Sequence, residues 1–285
     1  MIPGSFEYHA PRSLGDAVKL LAEYRDDVKV LSGGQSLLPL MKMRLSKPTH
    51  VVDIGRVPGL DQITEEDNSL VLGALVTHAQ MERSELLRKN CPLLAQTAAT
   101  IADVQVRNRG TLGGSIAHAD PAGDMPAAVL ALDAEIKCVG PNSERWVKCG
   151  DFFLGLMMSV LEPDEIVTAV RVPVTGKDKT AYLKAAPRSS GFAVVGVAVR
   201  LALDGAGTCH RAAIAITGVT DKAYRAERVE RSLIGQSLRA QVIEQAAKQA
   251  THNIEAIEDI NGSSEYRAHL THEYVARAIQ AAVKS

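Results

Sequence analysis

The chain is predicted to be α+β and built in two parts, and three observations carry that reading. Helical and strand periodicities alternate in short units up to about residue 172. A polar stretch broken by Pro and Gly, Pro173 to Thr180, then interrupts the pattern. Beyond it come three extended runs followed by three helices. The length of 285 residues suits about two domains at roughly 150 residues each.

The first part opens with Ser13 as a candidate N-cap and Asp16 three residues on, before Leu14, Ala17, Val18 and Leu21 at helical spacing. Val28 to Leu31 is β-prone and ends in Ser32-Gly33-Gly34-Gln35-Ser36, after which Leu37 to Leu45 returns to apolar residues. His50 to Ile54 is a strand closed by Gly55. A strand near Leu70 to Leu75, a helix opened by Thr77 and a helix from Pro92 follow. Asp103 to Pro126 holds four glycines and three aspartates and reads as a long loop or a set of tight turns, the kind that is usually functional inside a compact domain. Asp124 is expected to cap a helix running through Ala131, and Ala134 to Val139 to be a strand. Pro163-Asp164-Glu165 turns the chain into the strand Ile166 to Val172.

In the second part, Ala181 to Lys184, Phe192 to Leu203 and Cys209 to Val219 read as three antiparallel strands, the last two joined at Asp204-Gly205-Ala206-Gly207. Helices are expected at Lys222 to Leu233, Leu238 to His252 and Ser264 to the end, the last burying Tyr266, Leu270, Val275, Ala278, Ile279 and Ala282.

Composition narrows the function. Hydrophobic residues make up 46% and charged residues 23%, enough for a core. Lys plus Arg is 32 against 33 for Asp plus Glu, and the net charge of −1 offers no nucleic-acid or membrane-surface footprint. Aromatics at 4% argue against base-stacking platforms. The N-terminus has neither the basic nor the apolar region of a signal peptide. The longest apolar run, near Phe192 to Val199, contains Gly196, stops at Arg200, and falls well short of the roughly 18 residues a membrane span needs. Cys91, Cys138, Cys149 and Cys209 form no C-x-x-C pair, so neither an iron–sulfur cluster nor a structural zinc site has its usual spacing. A cytoplasmic protein with reduced thiols is expected.

Two glycine clusters carry the chemistry. Ser32-Gly33-Gly34-Gln35-Ser36 follows a strand directly; adjacent glycines let a backbone approach a ligand, successive amides form an anion nest, and Ser36 adds a hydroxyl. Gly110-Thr111-Leu112-Gly113-Gly114-Ser115 repeats that chemistry. Either could equally be a plain turn, and neither fits a Walker A loop or G-x-G-x-x-G. Together they could close on one diphosphate from both sides. Asp120 and Asp124 could accept hydrogen bonds from sugar-like hydroxyls, or cap turns and the next helix. Lys184, with Pro187 and Arg188 just after it, ends a strand where a lysine is usually solvated. His269 and His272 lack a third ligand, so no metal site is expected, and no nucleophile elbow or H-E-x-x-H appears. The residues alone describe a two-domain protein for a phosphorylated, hydroxyl-bearing ligand without dedicated acid–base machinery, a profile that suits a cofactor carrying its own chemistry.

At these motifs the chain resembles the FAD-binding medium subunit of molybdenum hydroxylases, of the aerobic carbon monoxide dehydrogenase type. The matching segments are M-I-P-G-S-F-E-Y at the start, L-S-G-G-Q-S-L-L-P from Leu31, M-K-M-R-L from Met41, I-A-D-V-Q-V-R-N-R-G-T-L-G-G-S from Ile101, Asp120-Pro121, Asp124-Met125-Pro126, and S-S-E-Y-R from Ser263. The resemblance implies an FAD domain of vanillyl-alcohol-oxidase (PCMH) type over residues 1–175, with subdomains of about 1–56 and 57–175. It implies a second domain over 180–285, a three-stranded antiparallel sheet with a helical bundle. It assigns Ser32, Gly33, Gly34, Gln35 and Ser36 to one pyrophosphate loop and Thr111, Gly113, Gly114 and Ser115 to the other. Asp124 matches the acidic residue that holds FAD hydroxyls, and Ile101, Val167 and Lys184 match positions beside the flavin. Gln35 stands where His is frequent, and Ser115 where Asn is frequent.

The function implied is electron relay. Substrate is oxidised at molybdopterin on a large partner subunit, and electrons pass through 2Fe-2S clusters on a small partner to this FAD and on to an external acceptor, in a heterotrimer expected to dimerise. No catalytic residue is assigned to this chain. Two other classes stay open: a stand-alone FAD-dependent oxidoreductase, and a non-catalytic assembly subunit.

Overall fold

In the computed structural model, which describes residues 2–187 and 190–285, the strands sort into three main sheets, each with its own apolar core. Met1, which opens the first matching segment, and Arg188, named beside Lys184, lie outside the described residues, as does Ser189.

The first unit is parallel. It comprises β1 (Glu7–His9), α1 (Leu14–Tyr24), β2 (Val28–Leu31), α2 (Leu37–Lys42) and β3 (His50–Asp53), with strand order β1-β3-β2. The Ser13 hydroxyl accepts from the Asp16 amide and starts α1, whose Ala17, Val18 and Leu21 pack on Val28 and Val52. The apolar run after the first glycine cluster is α2.

The second unit comprises β4 (Ile63–Glu66), β5 (Ser69–Gly73), α3 (His78–Arg83), α4 (Glu85–Asn90), α5 (Pro92–Ala99), α6 (Val104–Arg109), α7 (Leu112–His118), α8 (Asp124–Ala131), β6 (Glu135–Val139), β7 (Glu144–Lys148), α9 (Cys149–Phe152), β8 (Phe153–Gly155), β9 (Met158–Ser159) and β10 (Ile166–Pro173). Its antiparallel sheet has the order β4-β5-β10-β6-β7. Thr77 and Gln80 form a full capping box at the start of α3. The segment expected to be a long loop, Asp103 to Pro126, is instead mostly the three short helices α6, α7 and the start of α8. Asp103 caps α6 and Thr111 caps α7 through side-chain oxygens, so polar residues that break a long periodicity here start short helices. Asp124 is the first residue of α8, not its cap; Gly123 occupies the cap position and the aspartate side chain points elsewhere.

The third unit comprises β11 (Lys179–Ala185), β12 (Val195–Leu203), β13 (Cys209–Thr217), β14 (Tyr224–Arg225), α10 (Glu227–Leu233), α11 (Ala240–Ala247) and α12 (Ser264–Lys284). The three expected strands form an antiparallel sheet, and β14, two residues from the stretch expected to be helical, extends it as a fourth. Strand alternation explains the long apolar run. Val197, Val199, Ile214 and Ile216 join the core under α10–α12, while Tyr182, Ala198 and Ala215 join the core of the second unit. Phe192, expected inside the strand, precedes it and is 54% exposed. The linker before β11 is pinned: Asp178 accepts from Arg200 Nε at 2.6 Å and Arg211 at 3.0 Å.

The buried stripe of α12 is Arg267, Thr271, Val275, Ala278, Ile279 and Ala282. Tyr266, expected inside, is 50% exposed because it sits one residue off that stripe. The four cysteines are buried free thiols, with burial pushing Cys91 and Cys138 up to about 11 and Cys149 up to about 12. Among the described residues no helix is long and apolar enough to cross a membrane.

The phase of α12 is open to test by urea denaturation. Ile279→Ala is expected to cost about 2–5 kcal/mol, and Tyr266→Ala less than about 1 kcal/mol.

Candidate functional site

A cavity of about 470 Å³ lies where the three units meet. Of the thirteen residues singled out in the sequence, Ser32, Gly33, Gly34, Gln35, Ser36, Ile101, Thr111, Gly113, Gly114, Ser115, Asp124 and Val167 all line it. Lys184 stands behind the wall, bonded to Asp124.

The two glycine clusters touch. The Ser32 and Thr111 hydroxyls share a hydrogen bond of 2.8 Å. A Cβ on Gly33 would overlap the Arg109 carbonyl oxygen, and one on Gly113 would overlap Ala74. These two glycines are therefore demanded by the meeting of protein backbones. Gly34, at φ +76°, makes the left-handed turn that leads into α2.

The clusters are not equivalent as anion nests. The amides of Leu112 and Gly113 donate to the Val76 and Ala74 carbonyls at 2.9 Å, and that of Gly114 to the Thr111 hydroxyl at 3.1 Å. In the first cluster the amides of Gly33, Gly34, Gln35 and Ser36 have no acceptor among the described residues. The first loop thus offers free amides and the second offers mainly hydroxyls.

Ile101 owes its place to Arg107, a residue sequence reasoning passed over. Its guanidinium donates to the Ile101 carbonyl at 3.0 Å and to Glu82 at 2.9 Å, folding the turn before α6 back on itself. The signal was the spacing of Asp103, the cap, and Arg107 four residues later. His78 was also missed. It is buried against Gly110, its amide donates to the Gly110 carbonyl, and its Nδ1 has no partner among the described residues. Burial, helped by the Arg107 charge, lowers the imidazole to about 4, so it is neutral at pH 7.

Asp124 anchors the third unit to the cavity. Its carboxylate accepts from the Tyr182 hydroxyl at 2.5 Å and from Lys184 Nζ at 3.0 Å. Both side chains of the Lys184–Asp124 pair are under a tenth exposed, so the lysine is not the solvated one its sequence context implied. Burial raises the Asp124 carboxyl against the opposing pull of Lys184 and the Tyr182 hydrogen bond, and burial holds the Tyr182 phenol well above its ordinary value. Tyr182 escaped sequence reading although it lies two residues before Lys184, on the same face of β11. Gly196 makes room for it, since a Cβ there would overlap the phenol oxygen.

The loops around Asp124 are tied to β13. The Thr217 hydroxyl donates to the Pro121 and Gly123 carbonyls, the Gly218 amide to Pro121, and Arg267 to the Val194 and Gly218 carbonyls. Lys184 also donates to the Gly191 carbonyl at 2.7 Å, holding the turn before Phe192, whose ring lines the cavity. Asp120 accepts from the Ala122 amide and caps its own turn. The other lining acid, Glu165, is held below the usual carboxylate range by a two-pronged bond from Arg145. The cavity is therefore lined both by the unpaired amides and the hydroxyls of the two glycine clusters and by the apolar side chains of Ile101, Leu161, Val167 and Phe192, a mixed wall that can receive a ligand with polar and apolar parts.

Residues 4–175 match the model of the FAD binding domain in molybdopterin dehydrogenase, and residues 180–282 match the CO dehydrogenase flavoprotein C-terminal domain. The carbon monoxide dehydrogenase medium chain of Hydrogenophaga pseudoflava is 40% identical over 99% of this chain and 98% of its own. The 6-hydroxypseudooxynicotine dehydrogenase complex subunit alpha of Paenarthrobacter nicotinovorans is 37% identical over 99% of this chain and 96% of its own. A solved carbon monoxide dehydrogenase from Hydrogenophaga pseudoflava, lacking the Mo-pyranopterin moiety of its molybdenum cofactor, superposes with a TM-score of 0.96 at 41% identity, covering 99% of this chain and 98% of that one.

Removing the Lys184 charge leaves Asp124 buried without its cation, so its carboxyl pKa rises further. A raised folded-state pKa contributes stability at acid pH that is lost as pH climbs through it. Lys184→Met should therefore be least destabilised in acid and fall behind the parent as pH rises, by about 3 kcal/mol at neutral pH. Asp124→Asn with Lys184→Met should recover part of the loss. Denaturation curves at several pH values check this.

Proposed function

The chain belongs to the family of FAD-binding subunits of molybdopterin dehydrogenases, and from that premise we propose that it is the flavin relay of a molybdenum hydroxylase complex. FAD is its cofactor, and when bound it supplies two-electron redox chemistry between the 2Fe-2S clusters of a small partner subunit and an external acceptor. The substrate is oxidised on a molybdopterin-bearing large subunit, in a cytoplasmic heterotrimer that dimerises.

The residues present fit the cofactor. The amides of Gly33 to Ser36 would hold the pyrophosphate, with the Ser32, Ser36, Thr111 and Ser115 hydroxyls and Gly113–Gly114 closing on it from both sides. Asp124 would accept from FAD hydroxyls with the lone pairs that Tyr182 and Lys184 leave. Ile101, Val167 and Phe192 would pack against the ring system, with Lys184 acting on it from behind Asp124. On this reading residues 1–175 form the flavin-holding part, divided at about residue 56, and residues 180–285 close the cavity from the far side.

The observation that carries the relay reading is that the carboxyls lining the cavity are engaged by the protein. Asp124 is held by Lys184 and Tyr182, Glu165 by Arg145, and Asp120 by its own turn. Groups so held suit binding and orientation rather than proton transfer to an organic substrate; of the two imidazoles on the wall, His78 is buried and neutral at pH 7, and His118 stands 4.0 Å from Asp120. A second support is the hairpin β8–β9. Leu154, Leu156, Met157 and Met158 are each half or more exposed, and Met157 lines the cavity. This apolar tip beside the proposed ring site would face the cluster-bearing subunit.

The test is purification of the tagged chain from its own cells. The expected result is a complex with two further polypeptides, together containing FAD, iron and molybdenum. Leu156→Asp should cut recovery of that complex severalfold while leaving FAD on the chain. A chain that purifies alone, free of metal and with full turnover, would refute the relay.

A further inference from the structure

Outside the cavity, the parallel pairing of the first sheet gathers three metal-binding side chains. Glu7 lies directly opposite His50 in the β1–β3 register, and His9, two residues along β1, shares the face of Glu7. His9 Nε2 is 3.1 Å from His50 Nδ1, Glu7 Oε2 is 3.7 Å from the same Nδ1, and all three ligand atoms lie within 4.8 Å of one another. We propose that Glu7, His9 and His50 form a surface site for a divalent first-row transition ion, zinc being the ion it best suits.

Ligand chemistry and geometry both support this. Two imidazoles and one carboxylate suit zinc and its neighbours, and suit calcium or magnesium poorly. Nitrogens bound to one tetrahedral zinc at about 2.0–2.1 Å stand roughly 3.3 Å apart, close to the spacing already present. The carboxylate has only a short swing to make, and its side chain is 74% exposed and free to make it. The rings are held close but not yet aimed: with the imidazole centroids 5.4 Å apart the two nitrogens face each other head-on, so each ring must turn in its own plane to point its lone pair at a shared ion. Tyr24, at the end of α1, stacks on His50 with centroids 3.7 Å apart and planes 7° apart, and on His9 at 5.5 Å and 23°. The hydrogen bond between the imidazoles places one ring proton in their contact. Metal entry moves that proton to the far nitrogen of its own ring, which leaves both facing nitrogens as lone-pair donors. Three protein ligands leave a fourth position for water.

The ion would staple β1 to the middle of its sheet. β1 has three residues and, among the described residues, pairs only with β3. β3 in turn pairs with β2, which runs straight into Ser32–Ser36. The site thus acts on the sheet that presents the first glycine loop, through residues separate from those that line the cavity.

The experiment uses the full FAD-loaded chain, dialysed against zinc at about pH 8 and then titrated with cobalt(II) as a spectroscopic probe. The expected result is one ion per chain, tetrahedral-type visible bands for cobalt, and a thermal midpoint raised by zinc. His9→Gln and His50→Gln should each weaken binding by roughly tenfold or more. Glu7→Gln, at an exposed position that cannot unfold the chain, should weaken it severalfold, while His269→Gln with His272→Gln should leave it unchanged. Flavin content equal to the parent's shows that each variant is folded. No stoichiometric binding, or binding that survives both His9→Gln and His50→Gln, would overturn the proposal.

Discussion

The cavity exists because two loops from different sheets press backbone against backbone. The first follows the parallel strand β2, and the second lies against β5 and α3 of the antiparallel unit. At Gly33 the chain runs so close to the Arg109 carbonyl that no side chain fits, and the Ser32–Thr111 hydrogen bond holds the two hydroxyls across the seam. Gly113 makes the same kind of approach to Ala74, and the amides beside it donate to the Ala74 and Val76 carbonyls. Each glycine loses more backbone freedom on folding than another residue would. The two sheets, each with its own apolar core, must hold the approach against that cost. The free amides of Gly33 to Ser36 then point where this seam directs them.

The third unit completes the cavity through a buried charge. Asp124, Tyr182 and Lys184 form a compact group in which the acid comes from α8 and its two donors from one face of β11. Such a pair is weak evidence for stability, since desolvation offsets most of the attraction, yet breaking it from one side is costly. Its value here is registry: it fixes which face of β11 meets α8. It also means that the Lys184 charge reaches the cavity already compensated, so its field there is that of an ion pair. Thr217 and Arg267 continue the same logic by tying the turns at Pro121–Gly123 and Val194 to the end of β13.

Where a residue's identity follows from local chemistry, it was legible in the sequence. Ser13 and Thr77 sit where their helices start, and the alternating runs of β12 and β13 are strands. Both glycine clusters were visible as candidates because adjacent glycines free the backbone for a close approach, although a plain turn would read the same way. The reason for Gly33 and Gly113 was not visible, since it lies in partners dozens of residues away. The helices α6 and α7, Val104–Arg109 and Leu112–His118, were hidden because each is only about two turns long, too short for periodicity to show. Lys184 looked solvated because its partner stands sixty residues back, and Tyr266 was placed inside because its α12 neighbours are apolar at nearly the same phase. The cluster of Glu7, His9 and His50 was invisible for a like reason: it depends on the register of two parallel strands, which sequence spacing does not set.

The seam between the loops is tested most directly by adding one carbon to it. FAD titrated into the apo chain, followed by flavin fluorescence, should bind Gly33→Ala at least roughly tenfold more weakly than the parent, the loss of about 1.4 kcal/mol or more expected if the loops are forced apart. Gly150→Ala, where an added Cβ meets open space, serves as the matched control and should bind as the parent does. A Gly33→Ala chain that is folded and takes up FAD with unchanged affinity would contradict the account.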